Sequence, residues 1–321
     1  MHSFTELTTR FEEHLKSSSL FNGAPDTLYE PCRYLLGLGG KRVRPVLCLM
    51  GSELFGEIRP DAWHAATGIE LFHNFTLVHD DIMDKAPLRR GQPTIHARNG
   101  LTAGILCGDA ICIAAYQQLT ILKTQLQPVL EVFNRTALEV CEGQQLDMDF
   151  EQRNDVGVEE YIQMIALKTS VLLAASLKIG ALIGGATEGN ADKLYKFGRA
   201  LGIAFQLQDD YLDAFGDVAK LGKQAGGDIL ADKKTYLHLK AMELLPAGDR
   251  PLLEALQGSE SPDKVAATLG LFRQSGADKQ CRDAVAHYSH LAFEALEEVA
   301  VLNKRKQPLH MLATMLLDRE S

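Results

Sequence analysis

Two acidic triplets of identical spacing are the residues best suited to chemistry: Asp80, Asp81 and Asp84 in LVHDDIMD, and Asp209, Asp210 and Asp213 in FQLQDDYLD. On a helix the first and last members of each lie about 40° apart and roughly 6 Å along the axis, with the middle one to the side. Each triplet can therefore converge on one point. Both are set among apolar residues, with Phe75, Leu77, Val78, Ile82 and Met83 around the first and Ile203, Phe205, Leu207, Tyr211, Leu212 and Phe215 around the second. A solvated acidic face, or capping of the turn at Pro87, would account for one such triplet. Two on half-buried helices are hard to explain that way, because buried carboxylates are costly unless paired or metal-bound. An all-oxygen donor set favours a hard divalent ion, magnesium first. Magnesium held by few carboxylates keeps waters and shares its remaining positions with phosphate oxygens, so a phosphate-bearing ligand is the implied third party.

The chain as a whole would repel such a ligand, since 33 Lys and Arg face 42 Asp and Glu for a net charge of -9. That balance excludes the broad basic footprint of a nucleic-acid binder, so any anion must meet a local basic cluster. GLGGKRVRP (37–45) offers Lys41, Arg42 and Arg44 after a glycine turn, and Arg89 and Arg90 follow the first triplet. Arginine forks bind phosphate oxygens in bidentate fashion. GGKRVRP is not a Walker loop, because Arg42 replaces the required Ser or Thr and no glycine precedes Gly40 by five residues. By itself it reads equally well as a surface basic loop.

The elements that must position these groups are helices. Apolar residues recur at helical spacing, as in Phe4, Leu7, Phe11 and Leu15 or Val129, Val132, Phe133, Ala137 and Val140, and alternating strand-like stretches are missing. Gly, Pro and Asn punctuation divides the chain into roughly ten helices. A length of 321 residues with 46% hydrophobic content is compatible with one large all-α domain over residues 1–321. The longest apolar run, VLLAASLKIGALIGGA (171–186), is broken by Lys178 and ends in glycines; it reads as a buried helix, so no stable membrane insertion is expected. Six cysteines without a CxxC pair or zinc spacing read as buried thiols of a reducing compartment, and a cytoplasmic protein is expected.

Taken in order, GGKRVRP (39–45), HDDIMD (79–84) with LRRG (88–91), ALKTS (166–170), FQLQDDYLD (205–213) and GKQAGGDILADKKTYL (222–237) resemble the trans-isoprenyl diphosphate synthases, head-to-tail prenyltransferases. The resemblance implies a single large helical bundle of the class I isoprenoid synthase type around a deep central cavity. Two acidic helices would face each other across it and hold about three Mg2+ ions on the diphosphate of an allylic substrate. Carried over residue by residue, Asp80 and Asp84, supported by Asp81, hold two ions; Asp209, with Asp210 and Asp213 nearby, holds the third. Arg89, Lys168, Lys223 and Lys233 neutralise the allylic diphosphate, with Thr169 and Gln206 near its reacting end. Lys41, Arg44, His73 and Arg90 hold the diphosphate of isopentenyl diphosphate. GQQLD (143–147) resembles a cavity-lining segment and brings in Gln144. The implied chemistry is magnesium-assisted ionisation of the allylic carbon–oxygen bond, attack by the isopentenyl double bond and loss of a proton to diphosphate, with no side-chain nucleophile. A homodimer is also implied.

Product length should depend on what lies beneath the first triplet. Thr76 sits one turn before Asp80 on nearly the same face, Phe75 is beside it, and Leu71 and Phe72 lie about a turn further down. A lone aromatic five residues upstream resembles synthases making geranylgeranyl diphosphate; paired aromatics there resemble farnesyl synthases, which is the alternative. Ile111 and Cys112 are the other candidates for the floor. A terpene cyclase would share fold and metals but lack GGKRVRP. A di-iron bundle would need the ExxH match of Glu70 to His73 twice, and it occurs once. A catalytically silent subunit of a heteromeric synthase would have lost motif residues, and all of them are present.

Overall fold

Local signals start and stop the helices. Ser3 accepts from the Glu6 amide while the Glu6 carboxylate accepts from the Ser3 amide, a capping box that opens the first helix. Pro60 begins the helix of the first acidic triplet, where a missing N–H costs nothing. The computed structural model describes residues 1–216 and 226–317. In chain order its helices are α1 (Phe4–Ser17), α2 (Asp26–Gly37), α3 (Val43–Glu53), α4 (Pro60–Met83), α5 (Ile95–Asn99), α6 (Leu101–Thr120), α7 (Leu126–Gln152), α8 (Val158–Ile165), α9 (Val171–Gly184) and α10 (Glu188–Phe215). After these come α11 (Gly227–Leu230), α12 (Tyr236–Leu244), α13 (Arg250–Leu256), α14 (Lys264–Ser275), α15 (Ala277–Glu297) and α16 (Asn303–Leu317). Short helices such as α5, α11 and α13, invisible to periodicity, raise the number above the roughly ten expected. The fold is all-α; among the described residues the strand pairing is a two-residue ribbon, Leu88–Arg89 against Gln92–Pro93.

The chain forms two compact units. The first comprises Met1–Asn134 and Ala175–Asp192. The part of the apolar run 171–186 that falls in it is core: Leu177, Ile179, Ala181 and Ile183 are fully buried. Gly180 lets α9 lie directly on α3, since a methyl group there would meet the Cys48 carbonyl oxygen at 1.9 Å. The helical stretch Val158–Gly184 is long and apolar enough to cross a membrane, yet 78% of its most apolar window is buried inside the protein. Its greasy surface is thus taken by protein contacts.

The second unit comprises Arg135–Ala174 and Lys193–Ser321. Its core gathers Phe150, Tyr161, Met164, Leu207, Tyr236 and Leu237 together with Leu253 and Phe272. The last two come from α13 and α14, so the loop-rich stretch after residue 245 is part of this unit's core. Between α8 and α9 the chain makes a π-helical turn, Ala166–Ser170, which is the ALKTS motif itself. Such turns widen a helix locally and are frequent at functional sites.

Candidate active site

The first triplet sits at the C-terminal end of α4. Asp84 continues the helical conformation, its amide donating to the Asp80 carbonyl at 2.8 Å, so the two carboxylates stand one turn apart as expected. The helix then stops in a Schellman arrangement. Lys85 takes the left-handed conformation (φ 51), the Lys85 amide donates to the Ile82 carbonyl and the Ala86 amide to that of Asp81. The ribbon that follows turns through Arg90 (φ 53) and Gly91 (φ 73), the two positive φ angles of a type I′ hairpin. This hairpin returns Arg89 to Asp81, whose carboxylate accepts from Nε at 2.8 Å and Nη2 at 2.7 Å. Asp81 is 3% exposed, Asp80 is half-buried and Asp84 is exposed. The middle carboxylate is therefore committed to a guanidinium fork, while the outer two line the end of the helix.

Arg90 is carried to the glycine turn before α3, where a methyl group on Gly40 would meet its Nη2 at 2.8 Å. Glycine is needed there for the backbone, with φ of +153. Arg44, the second residue of α3, donates from Nη1 to His73 Nε2 at 3.1 Å, and its Nε is buried with no hydrogen-bond partner among the described residues. Burial, with the charges of Arg44 and Arg90, holds His73 well below the ordinary imidazole range, so the ring is neutral and can accept this bond. Lys41 is exposed at the head of the same loop. Arg42 turns the other way: it is buried and bonds Glu12, Glu70 and the Leu36 carbonyl. Glu70, which also accepts from Asn74, is thereby the partner of a buried cation, and the di-iron reading of Glu70 and His73 lapses.

Aromatic residues cluster on α4 upstream of the triplet. Phe75 stacks edge-on against His79 with centroids 4.9 Å apart, and Phe72 packs on Phe75 at 5.5 Å and on Phe133 at 5.2 Å. Phe72 is buried, Phe75 and Thr76 are half-buried, and the Thr76 hydroxyl donates to the His73 carbonyl. Ile111 is buried in α6, and Cys112 is half-buried.

In the second unit the π-turn brings ALKTS against two helices through two glycines. A methyl group at Gly143 of α7 would meet the Lys168 amide nitrogen at 2.3 Å, and one at Gly202 of α10 would meet the Ser170 Cα at 2.7 Å. Lys168 pairs with Asp147 at 2.5 Å, and the Thr169 hydroxyl donates to Gln206 Oε1 at 3.4 Å. Gln206 Nε2 donates in turn to Asp210 Oδ1 at 3.2 Å, and the Tyr161 hydroxyl to Asp210 Oδ2 at 2.5 Å. Burial, added to by the charge of Asp228, pushes the Asp210 carboxyl up to about 7 despite these donors. Asp213 accepts from the Asp228 amide at 2.9 Å and so starts α11. Lys233 lies 3.8 Å from Asp228 and is exposed, Asp209 is half-buried, and Lys223 falls outside the described residues.

Two residues of this site have little signal as single letters. Asp147 is one carboxylate among many until Lys168 is placed beside it. Gln144 is 9% exposed with both amide atoms lacking a hydrogen-bond partner among the described residues, a costly state that points to a ligand group. Among the described residues no three His, Cys, Asp or Glu side chains could by themselves hold a metal ion. An oxygen-only donor set of few carboxylates fits magnesium, which completes its shell from water and substrate phosphate.

Comparisons with known proteins agree with this arrangement. Residues 25–271 match the polyprenyl synthetase family. A short chain isoprenyl diphosphate synthase of Methanothermobacter thermautotrophicus is 38% identical, over 94% of this chain and 93% of its own. A geranylgeranyl diphosphate synthase of Sulfolobus acidocaldarius is 36% identical, over 92% of this chain and 91% of its own. The crystal structure of a geranylgeranyl pyrophosphate synthase superposes with a TM-score of 0.93 at 44% identity, covering 100% of both chains. With its acidic triplets, arginine loops and π-turn lysine in the order of that family, the chain belongs to the polyprenyl synthetases, which are prenyltransferases.

Proposed function

We propose that the protein is a short-chain prenyltransferase that extends an allylic diphosphate with isopentenyl diphosphate, and that its main product is geranylgeranyl diphosphate. The observation that carries this reading is that both acidic triplets are intact, with Asp81 held by the Arg89 fork at the first and Asp210 held by Gln206, which accepts from Thr169 of the ALKTS turn, at the second. The names of relatives 36% and 44% identical support the product, as does the lone aromatic Phe75 five residues before Asp80.

Asp80 and Asp84 would hold two magnesium ions and Asp209 a third, and these would polarise the leaving diphosphate. Arg89 and Lys168, with Lys223, meet the negative charge that heterolysis leaves on diphosphate, as fixed cations needing no reorganisation, while the exposed Lys233 neutralises the allylic diphosphate as it binds. Asp210 orients rather than ligates: it takes the Gln206 amide nitrogen, so that Gln206 Oε1 faces Thr169, and these two oxygens offer dipoles to the allyl cation. Asp213 likewise anchors the segment bearing Lys233. Lys41, Arg44 and Arg90 hold the diphosphate of isopentenyl diphosphate, with the unpartnered Nε of Arg44 as one donor and neutral His73 fixing its fork. Phe75, Thr76 and Phe72 limit the growing chain.

The family match runs through segments of both compact units, which supports one synthase domain over residues 1–321. A homodimer is supported by α6, which exposes Leu101, Ile105, Leu106 and Ile113. Six free cysteines fit a reducing, cytoplasmic setting. The test is to incubate purified protein with magnesium, isopentenyl diphosphate and each allylic primer, and to measure product length. A twenty-carbon product is expected, with turnover lost in Asp80→Ala and Asp209→Ala although both remain folded. A fifteen-carbon product would make it a farnesyl synthase, and absence of turnover a silent subunit.

A further inference from the structure

Lys233 leaves a segment that is tied down with unusual care. Asp232, immediately before it, is a non-glycine residue in the left-handed conformation (φ 56), which costs on the order of 1 kcal/mol and persists only where surroundings enforce it. The enforcing group is Lys264 at the start of α14. Its ammonium is 2.8 Å from Asp232 Oδ1, and the residue is 4% exposed, a rare position for a lysine. The other Asp232 oxygen accepts from the Gly258 amide at 3.0 Å, and Lys264 also reaches the Leu230 carbonyl at 3.5 Å. At the head of the segment Gly226 packs on Val265, the next residue of α14, where a methyl group would meet Cγ1 at 2.7 Å. On its far flank Lys234 caps the C-terminal end of α7 through the Phe150 and Arg153 carbonyls.

We infer that the Asp232–Lys264 ion pair is a positioning clamp that fixes the segment 226–235, and through it Lys233, for binding the allylic diphosphate. The inference rests on the role proposed above for Lys233. Asp232 and Lys264 touch no substrate in this scheme; they act by holding the backbone of the segment in one conformation, so that the cation is in place before diphosphate arrives. Loss of the clamp should weaken ground-state capture of the diphosphate while leaving the chemical step nearly intact.

The experiment measures KM for farnesyl diphosphate and kcat, with isopentenyl diphosphate and magnesium saturating, for Lys264→Met, Asp232→Asn, the double variant, Lys264→Arg and Lys233→Ala. Asparagine tolerates the left-handed conformation, so Asp232→Asn removes the charge without removing the turn. Each single clamp variant should raise KM about tenfold with kcat changed by less than about threefold, and the double variant should be no worse than either single one. Lys264→Arg should recover most of the affinity, and amide exchange in 226–235 should accelerate in Asp232→Asn at unchanged melting temperature. If Lys233→Ala raises KM but both clamp variants bind like the parent, the clamp is refuted alone. An unchanged KM in Lys233→Ala refutes the role of Lys233 and the clamp's purpose with it.

Discussion

Adjacent aspartates of one triplet do different work because their neighbours differ. Asp81 is enclosed by the Arg89 fork, whereas Asp80 and Asp84 reach the end of α4. A buried carboxylate stripped of its only cation keeps its desolvation cost and loses its compensation. Arg89→Ala should therefore lower stability by about 2 kcal/mol as well as activity, while Asp80→Ala lowers activity alone; urea titration of the two variants separates them, and equal midpoints would count against the Asp81–Arg89 pair. His238 supplies a pH dependence of its own. Burial, and then the charge of Lys234, pull its imidazole down to about 4 from an ordinary 6.5. Between those values the unfolded chain binds a proton that the folded one refuses, so this residue removes stability as pH falls from about 6.5 to about 4, by up to about 3 kcal/mol. Urea unfolding at pH 7 and pH 4.5 should show a shallower acid loss in His238→Gln than in the parent, and identical losses would contradict it.

At the scale of elements, close helix approach and face assignment carry the site. At the α3–α9 contact the atoms nearest a methyl group on Gly180 are backbone atoms of Cys48 and Ser52, so it has nothing flexible to displace. Gly180→Ala is expected to cost about 3 kcal/mol or to prevent folding, and a urea midpoint equal to that of the parent would disprove this packing argument. On α4, Thr76 stands one turn before Asp80, while the ring of Phe75 is braced by His79 and Phe72 of the same helix. Truncating a braced ring leaves space that its neighbours do not readily refill. Phe75→Ala should shift the product toward longer chains, read by chromatography of the dephosphorylated prenols; an unaltered distribution would move the floor to Ile111 or Cys112.

For the whole molecule, the large apolar residues that α6 leaves exposed bear on association. Ile113 is 61% exposed and Leu101 58%. Contiguous exposed apolar surface marks association sites. Ile113→Lys should shift the protein from dimer toward monomer in sedimentation equilibrium, and a parent protein already monomeric would remove the basis for this expectation. The acidic net charge of -9 leaves affinity for diphosphate to local clusters, so binding should depend on Arg44 and Arg90 rather than on the general surface.

Much of this was legible in the chain because helices write their periodicity and capping into local sequence. The all-α class, the acidic triplets one turn apart, the buried 171–186 helix and the basic loops all depend on residues within a few positions of one another, and the family resemblance supplied the expected roles of the cations. What the tertiary structure decided depends on neighbours distant in sequence. Asp81 is held by Arg89, and Asp210 by Tyr161 and Gln206; Arg42 left the basic cluster for Glu12 and Glu70; Asp147 is paired with Lys168. The π-turn at ALKTS and the left-handed Asp232 were likewise unreadable, because what holds each one is packing, Gly143 and Gly202 for the first and Lys264 for the second. A residue's type sets which interactions it can make, and burial beside a particular partner selects among them.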